Sequence, residues 1–124
     1  MKRSLFLLIT AILAVLFGAL MFFAPSLAAQ AFGIPDSVGV DALFRILGAT
    51  LLSLAVLNFL VRNHPSSPTL TAVLWTDVAT HGIGLVADLW SVGAGAFTFT
   101  AALPGLVVHV FVGVGALIYA VRTD

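Results

Sequence analysis

The sequence contains no cysteine, and only 8% of its 124 residues are charged. The first absence excludes disulfide bonds, thiolate metal sites, iron–sulfur clusters and cysteine nucleophiles. An ordinary soluble domain carries roughly 25% charged residues, so the second absence excludes an ordinary water-exposed surface. The net charge is zero and there is no basic cluster, which excludes the electrostatic surface of a nucleic-acid-binding protein.

Long apolar runs stand in place of the missing charge. Residues 4–35, 46–61 and 89–121 contain no Asp, Glu, Lys or Arg, and a membrane-spanning helix needs about 20 mainly apolar residues. The run from Leu5 to Ala24 is longer than the apolar part of a secretory signal, so we expect it to remain as the first span. The sequence therefore predicts an all-α integral membrane protein, a four-helix bundle with one domain. The expected spans cover about residues 4–24, 41–62, 69–92 and 104–122, with a short interfacial turn at 26–32.

The cations indicate an orientation, because Lys and Arg concentrate on the cytoplasmic side of a membrane protein. With four spans, all but one of the Lys and Arg residues fall on one side: Lys2, Arg3, Arg62 and Arg122. We therefore expect an up-down-up-down arrangement in a bacterial inner membrane, with both termini cytoplasmic.

A few polar side chains lie inside the predicted spans, where each is costly unless it meets a partner. They are Arg45, Asn58, Asp77, His81, Asp88 and His109. Three of them, Asp77, His81 and Asp88, follow one narrow stripe of the third span at about 100° per residue. A second polar stripe, around His109 of the fourth span, is suited to face the first.

The depth of each residue predicts which of them pair. Arg45, Asp88 and His109 each lie roughly one turn from the outer end of their spans. We expect an Arg45–Asp88 ion pair with His109 beside it, because a low-dielectric site penalises a lone charge. Asn58 and Asp77, with Arg62, form a second expected group nearer the inner end.

Several roles remain open for this cluster of polar residues. They can act as interhelical fasteners, line a site for a ligand, a proton or a cofactor, or contact a partner protein. His81 and His109 are candidate ligands for haem or for a chlorophyll-type pigment, although the sequence has no CxxCH haem-attachment motif. We expect no metal-enzyme centre, since zinc requires three protein ligands.

The order of these features resembles that of small four-span bacterial membrane proteins of the DoxX-like sort. The resemblance is carried by an Ala-Pro pair after the first span, the segment Phe44–Gly48, Asn58 and Arg62 at the end of the second span, and a third span with Asp and His. It covers most of the chain and implies a compact four-helix bundle. It implies no catalytic residue.

The connections between the spans are too short to hold a soluble active site. The sequence therefore favours a non-enzymatic protein, either an accessory or structural subunit of a larger membrane complex or a homo-oligomer, with lipid and other membrane subunits as its partners. One alternative is a membrane-embedded enzyme or binder for a hydrophobic small molecule, which would use the Arg/Asp/His cluster. Another is a pigment or haem carrier.

Overall fold

The computed structural model describes residues 1–122, and these form an all-helical structure. Five helices follow one another: α1 (Arg3–Phe23), α2 (Pro25–Ala31), α3 (Val38–Val61), α4 (Pro68–Gly93) and α5 (Phe99–Ala120). Four of them, α1, α3, α4 and α5, are long and apolar enough to cross a membrane. The short α2 packs against α1 and α3.

Local signals explain where most helices begin. Ser37 and Ser67 cap α3 and α4, and each side chain accepts a hydrogen bond from the backbone N–H three residues later, at 3.2 Å. Proline occupies the first position of α2 and of α4, where its missing N–H costs nothing. Gly33 and Gly95 have φ of +70° and +75° in the connections that follow α2 and α4, a conformation that glycine adopts without steric cost.

The start of α5 corrects the expected start near Pro104. The helix begins at Phe99, because the Thr98 side chain accepts a hydrogen bond from the Ala101 N–H at 3.2 Å and so caps an earlier turn. Pro104 lies within the helix. Its ring removes one backbone hydrogen bond near the start of the helix, and the cap at Thr98 stabilises the turn that precedes it.

The long helices pack as two close pairs, α1 with α3 and α4 with α5, and α1 also contacts α5. Within the first pair the backbones approach at Gly18 and Gly48, where a Cβ on Gly48 would lie 2.7 Å from the Gly18 carbonyl oxygen. Within residues 1–122, α3 and α4 do not pack along each other. A side-chain hydrogen bond between Asn58 and Asp77 connects them.

Hydrogen bonds bring both ends of the described chain and the α3–α4 connection to one end of the molecule, here called the terminal end. Arg3 donates to the His64 carbonyl at 2.6 Å and to the Ser66 hydroxyl at 3.1 Å. The Tyr119 hydroxyl donates to the Met1 carbonyl. The N-terminus of α1, the connection between α3 and α4, and the C-terminus of α5 therefore lie side by side.

A buried apolar cluster fills the interior near this terminal end. Gly115 leaves room there for the Phe6 ring, which would collide with a Cβ at that position. Beyond this cluster the two helix pairs separate. The cluster consists of Phe6, Leu7, Leu70, Leu74, Val112, Ala116 and Ala120.

Candidate functional site

A cavity of about 240 Å³ lies between the two helix pairs. Its lining is mostly apolar and comes from all four long helices together with the two connections at the far end. The apolar lining includes Leu13, Ala14, Phe17, Leu47, Leu51, Leu54 and Val108. Engineered cavities of about 150 Å³ lined by apolar side chains bind benzene-sized molecules, so this space is large enough for a small apolar ligand.

Three polar side chains form the floor of the cavity, next to the buried apolar cluster. Thr10, Asn58 and Asp77 come from α1, α3 and α4, and are only 3%, 1% and 2% exposed. Asn58 Nδ2 donates to Asp77 Oδ1 at 3.1 Å. Among residues 1–122, no hydrogen-bond partner is present for Thr10 Oγ1, Asn58 Oδ1 or Asp77 Oδ2. The floor therefore holds three buried oxygen atoms without a hydrogen-bond partner in this part of the chain.

The floor lies at one level because of the helix period. Thr10 follows Phe6 and Leu7 of the apolar cluster by about one turn of α1, and Asp77 follows Leu74 by three residues of α4. Both helices run away from the terminal end, so both side chains lie one turn beyond the cluster.

One wall of the cavity carries a second polar group, formed by His81, Asp88 and His109. The Nδ1 atoms of His81 and His109 are 2.9 Å apart, so one ring donates a hydrogen bond to the other. His109 Nε2 lies 3.7 Å from Asp88 Oδ2. A carboxylate only accepts, and the arrangement in which His81 donates to His109 leaves an Nε2–H on His109 facing Asp88.

Glycines on the facing helix make room for this polar wall. A Cβ on Gly84 would collide with the His109 ring, and a Cβ on Gly105 would lie 3.0 Å from Asp88 Oδ2. These small residues, which let α4 and α5 approach closely, therefore also accommodate the polar side chains.

Aromatic rings line the end of the cavity opposite the floor. The Phe32 ring centroid lies 6.1 Å from that of Phe44 and 5.5 Å from that of Phe97. The three rings belong to the connection after α2, to α3 and to the connection after α4, and all three line the cavity. They form an apolar end wall.

The structure does not bring Arg45 into the polar cluster, which corrects the expected Arg45–Asp88 pair. Arg45 pairs with Asp41 of its own helix at 3.6 Å, with its side chain 51% exposed. Asp41 lies one turn earlier on the same face, within easy reach of the long Arg side chain. Asp88 faces His109 instead.

Arg62 is likewise absent from the expected group with Asn58 and Asp77. Its guanidinium lies over the Phe59 ring, 3.6 Å from the centroid, and donates to the Phe59 carbonyl. The cation therefore stays at the end of α3, stacked on an aromatic ring, while Asn58 and Asp77 contact each other.

The two histidines considered as haem or pigment ligands bond to each other through their Nδ1 atoms, with ring centroids 5.1 Å apart. No group of three His, Cys, Asp or Glu side chains that could hold a metal ion is present in the described part of the chain.

The residues that line the floor and the aromatic end but were not predicted from the sequence include Thr10, Phe32, Phe44 and Phe97. A signal was present for Thr10, which is a polar residue within the long apolar run of the first span. The three phenylalanines gave no such signal, since the chain has ten of them and their meeting depends on the tertiary arrangement.

Comparison with curated proteins and with solved structures finds no match. One family model, described as a domain of unknown function (DUF8292), matches residues 8–124. The match includes all of the residues that form the floor, the polar wall and the aromatic end of the cavity. The chain therefore belongs to the DUF8292 family.

Proposed function

We propose that this protein binds a hydrophobic small molecule within the membrane. The observation that carries the proposal is an apolar cavity whose floor holds three buried oxygen atoms without partners. Ligand sites are typically apolar pockets with a few convergent polar groups that orient the ligand. A buried polar group without a hydrogen bond costs about 1–3 kcal/mol, and a ligand that bonds to it recovers part of that cost.

The alternative role as interhelical fasteners accounts for only part of the polar side chains. His81 and His109 bond to each other across α4 and α5, as fasteners do. The floor differs, because Thr10 contributes a buried hydroxyl that has no protein partner within residues 1–122. A purely structural contact gains nothing from such a group.

We propose an up-down-up-down bundle whose terminal end faces the cytoplasm. The contacts of Arg3 and Tyr119 support this arrangement, because they place the N-terminus of α1 beside the C-terminus of α5. Lys2, Arg62 and Arg122 lie toward the same end, as the distribution of cations in membrane proteins favours.

An accessory subunit of a larger membrane assembly is the second candidate. Its support is the large apolar side chains on the outward faces of the long helices, such as Leu16, Leu60, Ile83 and Trp90. A partner helix or a second copy can cover these faces as well as lipid can. Under this role a defined partner would remain bound after extraction in mild detergent.

The binding proposal is tested by extracting the protein directly into lipid nanodiscs and identifying small molecules that remain bound by mass spectrometry. Ala14→Phe fills the cavity, because Ala14 lines it. Ala49→Phe is the matched control, since Ala49 is exposed on α3. We expect the wild type and Ala49→Phe to retain one molecule that Ala14→Phe has lost.

Two results would count against binding in this cavity. One is equal retention by all three proteins, and the other is a wild-type protein that carries no defined molecule. The absorbance spectrum of the same sample tests the pigment and haem alternative, because either cofactor would colour the protein.

A further inference from the structure

We propose that the ligand carries a primary ammonium group, which binds at the floor of the cavity to Asp77, Asn58 and Thr10. This inference rests on the proposed binding function and specifies the chemistry of the ligand. The ligand is thus an amphiphile with a positively charged amine at one end and an apolar body.

The first step in the argument is charge. Asp77 is buried, and no cation of the described chain lies within ion-pair distance of it. Arg3 donates to the α3–α4 connection, and Arg62 is stacked on Phe59. A buried carboxylate is stabilised by an opposite charge with good hydrogen-bond geometry, and no side chain of residues 1–122 supplies that charge to Asp77.

The second step is the direction of the hydrogen bonds. The Asn58 amide donates its Nδ2–H to Asp77 Oδ1, so its oxygen remains as an acceptor. Asp77 Oδ2 and Thr10 Oγ1 are further acceptors, and all three atoms lack a partner in residues 1–122. An ammonium group of the R–NH3⁺ type has three donors and no acceptor. Its three donors therefore equal the three partnerless oxygen atoms in number.

Other head groups match the floor less completely. An alcohol has one O–H to donate, so it satisfies one of the three oxygen atoms as a donor and supplies no charge. Mg²⁺ requires six ligands in near-ideal octahedral geometry, and Ca²⁺ takes six to eight oxygen ligands. The three oxygens of the floor fall short of both.

The third step is the space for the rest of the ligand. From the level of Asp77 to that of Asp88 the cavity extends over eleven residues of α4, or about 16 Å at 1.5 Å per residue. Leu13, Phe17 and Leu51 line this length opposite the polar wall. An unbranched apolar chain fits beside them, with its far end toward Phe97.

The test compares three probes of equal chain length: decylamine, decanol and decane. Binding to the protein in lipid nanodiscs is measured from the rise in its thermal unfolding temperature with probe concentration, because a ligand of the folded state stabilises it by mass action. We expect the wild type to bind decylamine about tenfold more tightly than decanol, since charge-assisted hydrogen bonds are roughly twice as strong as neutral ones.

Two matched variants locate the site. Asp77→Asn removes the buried charge, and we expect it to weaken decylamine binding about 100-fold, the scale found when one partner of a buried charge pair is lost. Asp41→Asn is the control, because Asp41 lies outside the cavity and pairs with Arg45; it should bind decylamine as the wild type does. Thr10→Val provides a second, nearly isosteric variant, which should weaken decylamine binding and leave decane binding unchanged.

The outcomes separate this inference from the function on which it rests. If none of the three probes binds, binding in the cavity is refuted. If decanol or decane binds as tightly as decylamine, or if Asp77→Asn retains the preference for the amine, the cavity is a binding site but the ammonium inference is wrong. Stabilisation of the wild type by sodium ions alone, abolished by Asp77→Asn, would show a metal-ion site and would also overturn the inference.

Discussion

Individual polar side chains in this protein differ in how fully their hydrogen-bonding groups are used. The hydroxyls on outward faces donate to a carbonyl four residues earlier on the same helix, which keeps them satisfied where water is absent. The Thr10 hydroxyl makes no such hydrogen bond, even though the residue is only 3% exposed and is shielded from water. At the floor of the cavity, therefore, some buried polar atoms have no hydrogen-bond partner within residues 1–122. The outward-facing hydroxyls in question are those of Thr50, Ser53, Thr76 and Ser91.

The contact between His81 and His109 should contribute a measurable coupling energy. We expect a double-mutant cycle with His81→Phe and His109→Phe to give about 0.6 kcal/mol, and at most about 1.7 kcal/mol, as for other polar contacts in membranes. The free energy of unfolding is measured in mixed micelles as the denaturing detergent fraction rises. Additive single-variant effects would show that the rings do not interact in the folded protein.

Some residue contacts could be predicted from the sequence and others could not. The helix period places Asp77, His81 and Asp88 on one stripe, and the rise per residue places Asp88 level with His109. These two quantities describe the backbone, so they do not show where a long flexible side chain ends. Arg45 lies near the start of α3, within two turns of its first residue, yet its guanidinium reaches Asp41 on its own helix.

Within a single helix, a glycine can be required because a Cβ at its position would collide with a neighbouring helix. Gly84 and Gly82 lie two residues apart on α4, but only Gly84 faces a neighbour, the His109 ring. A Cβ on Gly82 would meet no atom within 4 Å. The two positions therefore separate the effect of packing from the effect of glycine on the helix itself.

Gly84→Ala should destabilise the protein by about 1–3 kcal/mol, the usual cost of overpacking. Gly82→Ala should be neutral or stabilising by up to about 1 kcal/mol, because alanine favours the helix over glycine. The free energy of unfolding of both variants checks this difference. A loss of stability of equal size in both would show that α4 and α5 do not pack through the Gly84 and His109 contact.

The ends of the helices follow sequence signals where a cap and a proline agree. At α4 the Ser67 cap and Pro68 coincide, and the helix begins within one residue of the expected position. At α5 the two signals conflict, because the Thr98 cap precedes Pro104 by six residues. The cap determines where α5 begins. A side chain that accepts a hydrogen bond from a free backbone N–H stabilises the first turn of a helix, whereas a proline near the helix start removes only one backbone hydrogen bond.

At the scale of the whole molecule, the cavity depends on which helices pair. A short connection joins α3 to α4, yet these two helices contact each other mainly through the hydrogen bond between Asn58 and Asp77. The structure pairs α1 closely with α3 and α4 closely with α5, which leaves space between the pairs. Helical periodicity identifies the inward face of each helix, but it does not give the distance between two faces. The cavity could not be predicted for that reason.

The proposed orientation can be tested with single cysteines, because the native chain contains none. Ser66 lies in the α3–α4 connection at the terminal end, and Ser37 caps α3 at the opposite end. In intact cells, a membrane-impermeant thiol reagent should label Ser37→Cys and should label Ser66→Cys only after the membrane is opened. Labelling of both from outside would contradict a four-span arrangement, since a single crossing, helix α3, separates these two connections. The reverse pattern would keep the four spans but place the terminal end, with Lys2, Arg3 and Arg62, outside the cell. That result would mean that the cations do not set the orientation of this protein, contrary to the usual bias of Lys and Arg toward the cytoplasm.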